Sequence, residues 1–322
     1  MGWVAALCAV LGCASKPDAR SGTTETEGGG ESAGSAEESS STSTGTVPGS
    51  SSGASSTSTT SSSSSSSSGG GAPSVVVHGH RGDRGNVPPG NTVLSFQSAL
   101  GYGVDVLEGD LQITADGSVV FGHDDDLTDT GCVWAGSKDA PGPRVSTMTD
   151  AELAMWDCHP EVEGIQAPPH LGEVLALDAE VGFNLELKQW GVEAADVYLP
   201  ALLAEDEACG GCLAPRLIVQ SFDWIGLQHA HDTYADRLDA RWSLLAQALR
   251  PEELEAAATW AQIWSPNHDL ATAEAIAQAH AWGFEVAPWT VNDEAEMQRL
   301  IDAGTDAIIT DLPNVLLALL GR

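Results

Sequence analysis

The chain has 322 residues, with 13 Lys+Arg set against 46 Asp+Glu and a formal net charge of −33. That balance excludes a groove that must neutralise nucleic-acid phosphates with basic side chains. The acids are spread along the chain without forming one block, so their general effect is on solubility.

The N-terminus, MGWVAALCAVLGCASKPD, sets a short apolar stretch before Cys13 and then turns polar. It resembles a bacterial lipoprotein signal, cleaved ahead of a cysteine that receives lipid. Residues 1–12 then form the signal peptide, Cys13 is lipidated, and the protein sits in the cell envelope on a membrane anchor. The alternative is an ordinary cleaved signal with Cys13 incidental, which makes the protein secreted. The apolar run is far shorter than the roughly 20 residues that cross a bilayer. Residues 13–71 are dominated by Ser, Thr, Gly, Glu and Ala and end in eight serines and three glycines, too little apolar surface to offset chain entropy, and read as a disordered linker.

Residues 72–322 suit one large α/β domain. Val75-Val76-Val77 is a β-branched run that ends where HGHRG begins, so His78 and His80 stand at the end of a strand. A Pro- and Gly-rich loop follows, and Asn91 or Thr92 caps a helix over TVLSFQSALGYG. VDVLEGDLQIT is the second strand, SVVFGHD follows an Asp116-Gly117 turn, and VGFNLELK is the next strand. RLIVQSF, RLDARWSL, AQIWSP, FEVAPWTV and DAIITD continue the series, separated by helical stretches such as DWIGLQHAHDTY, PEELEAAATW and DEAEMQRLIDAG. About eight βα units predict a (β/α)₈ TIM barrel with a small insertion after the second strand. An open doubly wound sheet is the runner-up, but no Gly-rich dinucleotide loop follows the first strand.

With Cys8 lost in the signal, four cysteines remain in the domain, an even number that suits disulfides in an exported protein. The simplest pairing is Cys132 with Cys158 and Cys209 with Cys212, one of three possible. CGGC has no second pair at zinc spacing, which favours a loop disulfide over a metal site.

Barrel active sites lie at the C-terminal ends of the strands. The polar residues there are His80, Arg81, Glu108, Asp110, His123, Glu186, Lys188, Ser221, Trp289 and Asp311. Glu108 and Asp110 are two apart on a strand and share a face. Adjacent inward carboxylates repel unless a cation lies between them, and Glu186 adds a third oxygen donor. An all-oxygen set suits Ca²⁺ or Mg²⁺. His80 and His123 supply two imidazoles for general acid and base work, while Arg81 and Lys188 suit phosphate. His78 is an alternative to His80 on the same strand face.

Taken together, HGHRG, NTVLSFQSALGYGVDVLEGDLQITADGSVVFGHD, NLELK and APWTVNDEAEMQRLIDAGTDAIITDLP resemble the glycerophosphodiester phosphodiesterases. The resemblance implies His80 and His123 as the acid/base pair, Glu108, Asp110 and Glu186 as ligands of a divalent metal, and Arg81 and Lys188 as phosphate contacts. It places Trp289 on the wall of the pocket, as an alternative to simple packing. The implied reaction is hydrolysis of a glycerophosphodiester to glycerol 3-phosphate and an alcohol. Phospholipase D-like cleavage of an intact phospholipid and a non-catalytic binding module on the same barrel are the other readings. One departure is PPGNT, where Gly90 stands in place of the family's glutamate, and the segment from Cys132 to Gln166 falls where the family carries a variable insertion.

Overall fold

A computed structural model describes residues 75–322 of the chain. The signal, Cys13 and the serine-rich segment lie outside the described residues. Eight parallel strands form the frame: β1 (Val76–Gly79), β2 (Val106–Ile113), β3 (Gly182–Leu187), β4 (Leu217–Ser221), β5 (Arg241–Ala246), β6 (Ile263–Pro266), β7 (Glu285–Val286) and β8 (Ala307–Thr310). Their order is β7-β6-β5-β4-β3-β2-β1-β8. Across the remaining seam Asp306 N donates to Val286 O at 3.1 Å and Ile309 N to Pro288 O at 3.0 Å, so the sheet nearly closes. The helices after the strands are α1 (Val93–Tyr102), α2 (Leu171–Leu175), α3 (Val192–Ala208), α4 (Trp224–Tyr234), α5 (Pro251–Ala257), α6 (Ala273–Trp282), α7 (Glu294–Asp302) and α8 (Pro313–Leu319). This is the expected (β/α)₈ barrel. Among the described residues no helix is long and apolar enough to cross a membrane.

Strand alternation sorts the chemistry into two layers. Leu107, Leu111, Phe183, Leu185, Val219, Trp242 and Leu244 join Phe96, Tyr198 and Leu199 in the apolar core between sheet and helices. Their neighbours Glu108, Asp110, Asn184, Glu186, Gln220, Ser243 and Ser265 are buried too. The polar set therefore faces the barrel axis, where buried groups persist only with partners.

The sequence reading named no helix for residues 192–208. Those residues form α3, whose buried Ala195, Tyr198, Leu199, Leu202 and Leu203 keep helical spacing although Pro200 interrupts the run. FEVAPWTV, expected to be a full strand, pairs as a ladder only over Glu285–Val286. Pro288 has no N–H to give, and pairing resumes as an isolated bridge between Asn267 and Trp289.

Between β2 and α2 lies the insertion. Val119–Phe121 pairs antiparallel with β2, and Val133–Trp134 pairs with Trp156–Asp157. Val120, Leu127, Val145, Met148, Leu153 and Trp156 give it a small apolar core of its own. Cys132 is bonded to Cys158 across this core, and Cys209 to Cys212 beyond α3.

Candidate active site

The turn after β1 sets the first half of the site. Arg81 is left-handed, with φ 53°. That bend lets its own N–H donate to Glu108 Oε2 at 3.0 Å while its carbonyl accepts from Ser95 Oγ at 2.8 Å. The next residue must be glycine: a Cβ on Gly82 would lie 2.6 Å from the Ser95 carbonyl carbon, where α1 packs onto the turn. Close approach of a helix start to a strand end is thus the reason for Arg81-Gly82. Thr92, not Asn91, caps α1, accepting from Ser95 N at 3.2 Å. Asn91, at φ 55°, turns inward instead. Its Nδ2 donates to Asp110 Oδ2 at 2.7 Å and its Oδ1 accepts from Asp110 N at 3.1 Å.

β2 and β3 bring the three carboxylates together. Register pairs Asp110 with Glu186 and Glu108 with Asn184. One oxygen from each of Glu108, Asp110 and Glu186 lies within 4.8 Å of the others, and all three residues are buried. Arg81 Nε stands 2.9 Å from Asp110 Oδ2, an ion contact outside hydrogen-bond geometry. Lys188 Nζ is 3.0 Å from Glu186 Oε1 and 3.6 Å from Asp110 Oδ1, and Asp110 Oδ1 has no hydrogen-bond partner.

The charge states follow from this crowding. Burial, then the Asp110 charge, raise Glu108 well above the carboxylate range and push Glu186 up to about 8. Burial acts to raise Asp110 as well, but Arg81 and Lys188 outweigh it and hold that carboxyl low. Burial alone would lower Lys188, and the charges of Asp110 and Glu186 raise it instead. The buried oxygens, one of them (Asp110 Oδ1) without a hydrogen-bond partner, form a hard-donor set that fits a divalent cation.

Each candidate histidine is backed by a carboxylate. His80 Nδ1 is 2.6 Å from Asp311 Oδ1 and its Nε2 is 3.9 Å from Glu108 Oε2. Asp311 is held in turn by Arg84 Nη1 at 3.0 Å and Asn292 Nδ2 at 2.7 Å. His123 Nδ1 is 2.9 Å from Asp124 Oδ1, and its carbonyl accepts from Gln112 Nε2 at 3.0 Å. Burial lowers the pKa of both imidazoles. His78 lies deeper in the barrel and is not among the residues around the cavity.

His80, Arg81, Glu108, Glu186 and His123 open onto one cavity of about 110 Å³. The rest of its lining is mixed: Phe222, Leu245, Trp289 and Ile309 are apolar, and Gln220, Gln247 and Thr290 are polar. Trp289 is fixed by donation from Nε1 to Ser265 O at 2.8 Å and by an edge-on contact with Phe222 at 5.4 Å. Asp110 sits beneath this cavity. Lys188 stands on the carboxylates and lines a neighbouring opening with His123 and Gln112. Ser221 is turned away, its Oγ donating to Leu187 O at 3.2 Å. The sequence reading placed Asp311 at a strand end without a role, and it did not single out Gln112, Arg84 or Asn292.

Gly90 has a structural reason. Its φ is +84°, and a Cβ there would lie 2.8 Å from Arg81 Cβ. The loop is braced from the insertion, where His159 Nε2 lies 2.9 Å from Thr92 Oγ1 and Nδ1 lies 3.1 Å from Glu161 Oε1. Gly90→Glu is therefore expected to lower stability by about 1–2 kcal/mol and to shift Arg81, reducing activity. Thermal melts and rates of that variant check this, and a gain in both would show that the loop accepts the side chain.

The comparisons with known proteins agree with this geometry. The model of the glycerophosphoryl diester phosphodiesterase family matches residues 80–315. A glycerophosphodiester phosphodiesterase of Bacillus subtilis is 28% identical over 255 residues, covering 73% of this chain and 83% of that protein. One from Caldanaerobacter subterraneus is 29% identical over 258 residues, covering 77% and 98%. Among solved structures, a putative glycerophosphoryl diester phosphodiesterase from Silicibacter pomeroyi aligns with a TM-score of 0.67 at 30% identity, over 77% of this chain and 94% of that one. The Oleispira antarctica phosphodiesterase, solved with the product sn-glycerol-3-phosphate, shares the fold at a TM-score of 0.65 and 22% identity, over 77% and 97%. The span of the family match and the site geometry lead to one conclusion: the chain belongs to the glycerophosphoryl diester phosphodiesterase family.

Proposed function

We propose that this phosphodiesterase hydrolyses glycerophosphodiesters to glycerol 3-phosphate and an alcohol, using a divalent cation and two histidines. The observation that carries the reading is a cluster of three buried carboxylates, two of them lining one cavity with two imidazoles, each imidazole with its own carboxylate. Glu108, Asp110 and Glu186 would hold the cation, Ca²⁺ or Mg²⁺. When bound, it polarises the phosphoryl oxygens and offsets the charge that builds in the transition state.

The remaining work falls to the chain itself. Arg81 is anchored through its backbone and presents its guanidinium beside the carboxylates, where its planar N–H groups suit a phosphoryl oxygen. Lys188 offsets the negative charge of Glu186 and Asp110 from the opposite side and assists with phosphate. Asp311 and Asp124 each take the Nδ1 side of an imidazole, which directs Nε2 of His80 and of His123 toward the substrate. One Nε2 removes the proton of the nucleophile and the other protonates the departing alkoxide; where the nucleophile is the glycerol's own hydroxyl, water then opens the cyclic phosphate to glycerol 3-phosphate. Phe222, Leu245 and Trp289 cover the carbon skeleton of one arm of the diester. The envelope location and lipid anchor are proposed from the N-terminal sequence alone.

The test is release of glycerol 3-phosphate from glycerophosphocholine by the full chain with Ca²⁺, with Mg²⁺ and with EDTA. Release with at least one metal and loss with EDTA is expected. Turnover that survives EDTA would remove the metal from the mechanism. No release from folded protein under any condition would return the choice to intact phospholipids or a binding module.

A further inference from the structure

Beside the three carboxylates the barrel holds a row of polar side chains that the mechanism above does not use. His78 on β1, Asn184 on β3 and Gln220 on β4 are exposed by 2%, 1% and 1%. Register sets Asn184 level with Glu108 and Gln220 level with Glu186, on the side where Gln220 also lines the cavity, and only His78, opposite Val106, lies below them. Gln220 Nε2 donates to Glu108 Oε1 at 2.9 Å. Asn184 Nδ2 donates to Gln220 Oε1 at 3.0 Å and lies 3.3 Å from His78 Nδ1.

The direction of this chain is dictated by its upper end. As a metal ligand Glu108 is an ionised carboxylate and only accepts, so in that state Gln220 must turn its NH₂ toward Glu108 and its oxygen toward Asn184. Asn184 must then present N–H, which leaves its own Oδ1 without a partner. A buried amide row with an unsatisfied oxygen is a poor way to stabilise a barrel, since apolar side chains of similar volume would fill the space at less desolvation cost. What the row does accomplish is geometric. With Arg81 N on Oε2 and Gln220 Nε2 on Oε1, each oxygen of Glu108 has one fixed donor, and the plane of the carboxylate cannot turn.

We propose that Gln220, oriented by Asn184, is a positioning residue that fixes the carboxylate plane of Glu108 for cation binding. The proposal rests on the reading of Glu108 as a metal ligand. Hydrogen-bond partners behind metal ligands are worth about 10–100-fold in metal affinity.

The test is Ca²⁺ binding, and separately Mg²⁺ binding, to the full chain by titration calorimetry, with Gln220→Met and Gln220→Asn beside the wild type. Gln220→Met keeps the volume and removes the donor, while Gln220→Asn withdraws the amide from Glu108 by one methylene. Either variant is expected to raise the metal Kd about 10–100-fold. Its metal-free melting temperature should stay within a few degrees of wild type, and kcat should recover at saturating metal. A merely structural role would instead lower the metal-free melting temperature and leave Kd in place.

Wild-type Kd in a folded variant overturns the proposal, as does failure of both variants to fold, because the row would then serve the barrel. A wild type that binds neither metal removes the metal reading as well. That result is seen before any substitution is made, so the two failures are distinct.

Discussion

His80→Ala lowers kcat on glycerophosphocholine by about 10²- to 10⁴-fold, while the affinity for Ca²⁺ stays near that of wild type. The reason is positional. Nε2 of His80 faces the cavity beside Glu108 without ligating anything, and Nδ1 is committed to Asp311 at 2.6 Å. Asp311→Asn keeps the shape but replaces an acceptor with a group that can present N–H to Nδ1, favouring the wrong imidazole tautomer. A fall of about two orders of magnitude or more is expected there too. His123→Ala gives a comparable fall, and leaving-group chemistry separates the two histidines. A p-nitrophenyl phosphodiester needs little protonation of its leaving group, so the variant that lost the general acid retains most of its rate on that substrate, and the variant that lost the base does not. Full activity of His80→Ala on both substrates would remove His80 from the reaction.

Much of this site was legible in the sequence because barrel geometry makes local rules global. Strand ends converge on one mouth, and a spacing of two keeps Glu108 and Asp110 on one face, so separate short segments could be assembled without knowing their contacts. The partners behind those residues were hidden for the opposite reason. Asp311 meets His80 across 231 positions of sequence, and Gln220 meets Glu108 across 112. Neither pairing has a local signature. Asn91 was legible only as a candidate cap, because its role depends on Thr92 having taken that place. α3 escaped notice because Pro200 and a run of alanines and acids blur its apolar stripe. His78 shares a strand face with His80; the Arg81-Gly82 that follows favours His80 in the sequence, and depth in the barrel separates the two in the structure.

The affinity of the site for Ca²⁺ is expected to rise with pH, by about tenfold per unit for each proton expelled, and to level off above about pH 8. In the metal-free protein burial and the Asp110 charge push Glu186 up to about 8, so near neutrality this carboxyl holds a proton that a cation must displace; the same causes raise Glu108. Calorimetry in buffers of different ionisation enthalpy reads the displaced protons directly. Stability must follow with the opposite sign. A carboxyl whose folded pKa lies above its unfolded value holds more protons when folded, so its contribution is complete below the unfolded value and is lost as pH rises through the folded one. His78, His80 and His123 carry the reverse shift; with an unfolded value near 6.5 they oppose the trend by a few tenths of a kcal/mol each up to about pH 7.5 and drop out above it. Between pH 6.5 and 8 the EDTA-treated protein should therefore lose on the order of 2 kcal/mol from Glu186 alone, seen as a falling melting temperature, while saturating Ca²⁺ holds it up. Glu186→Gln has no proton to lose, so it should flatten the metal-free melting curve against pH and weaken Ca²⁺ binding together. A Ca²⁺ affinity that does not change from pH 6 to 8 would mean that the carboxyls are already ionised, and that the crowding of the three acids is relieved by something other than the cation.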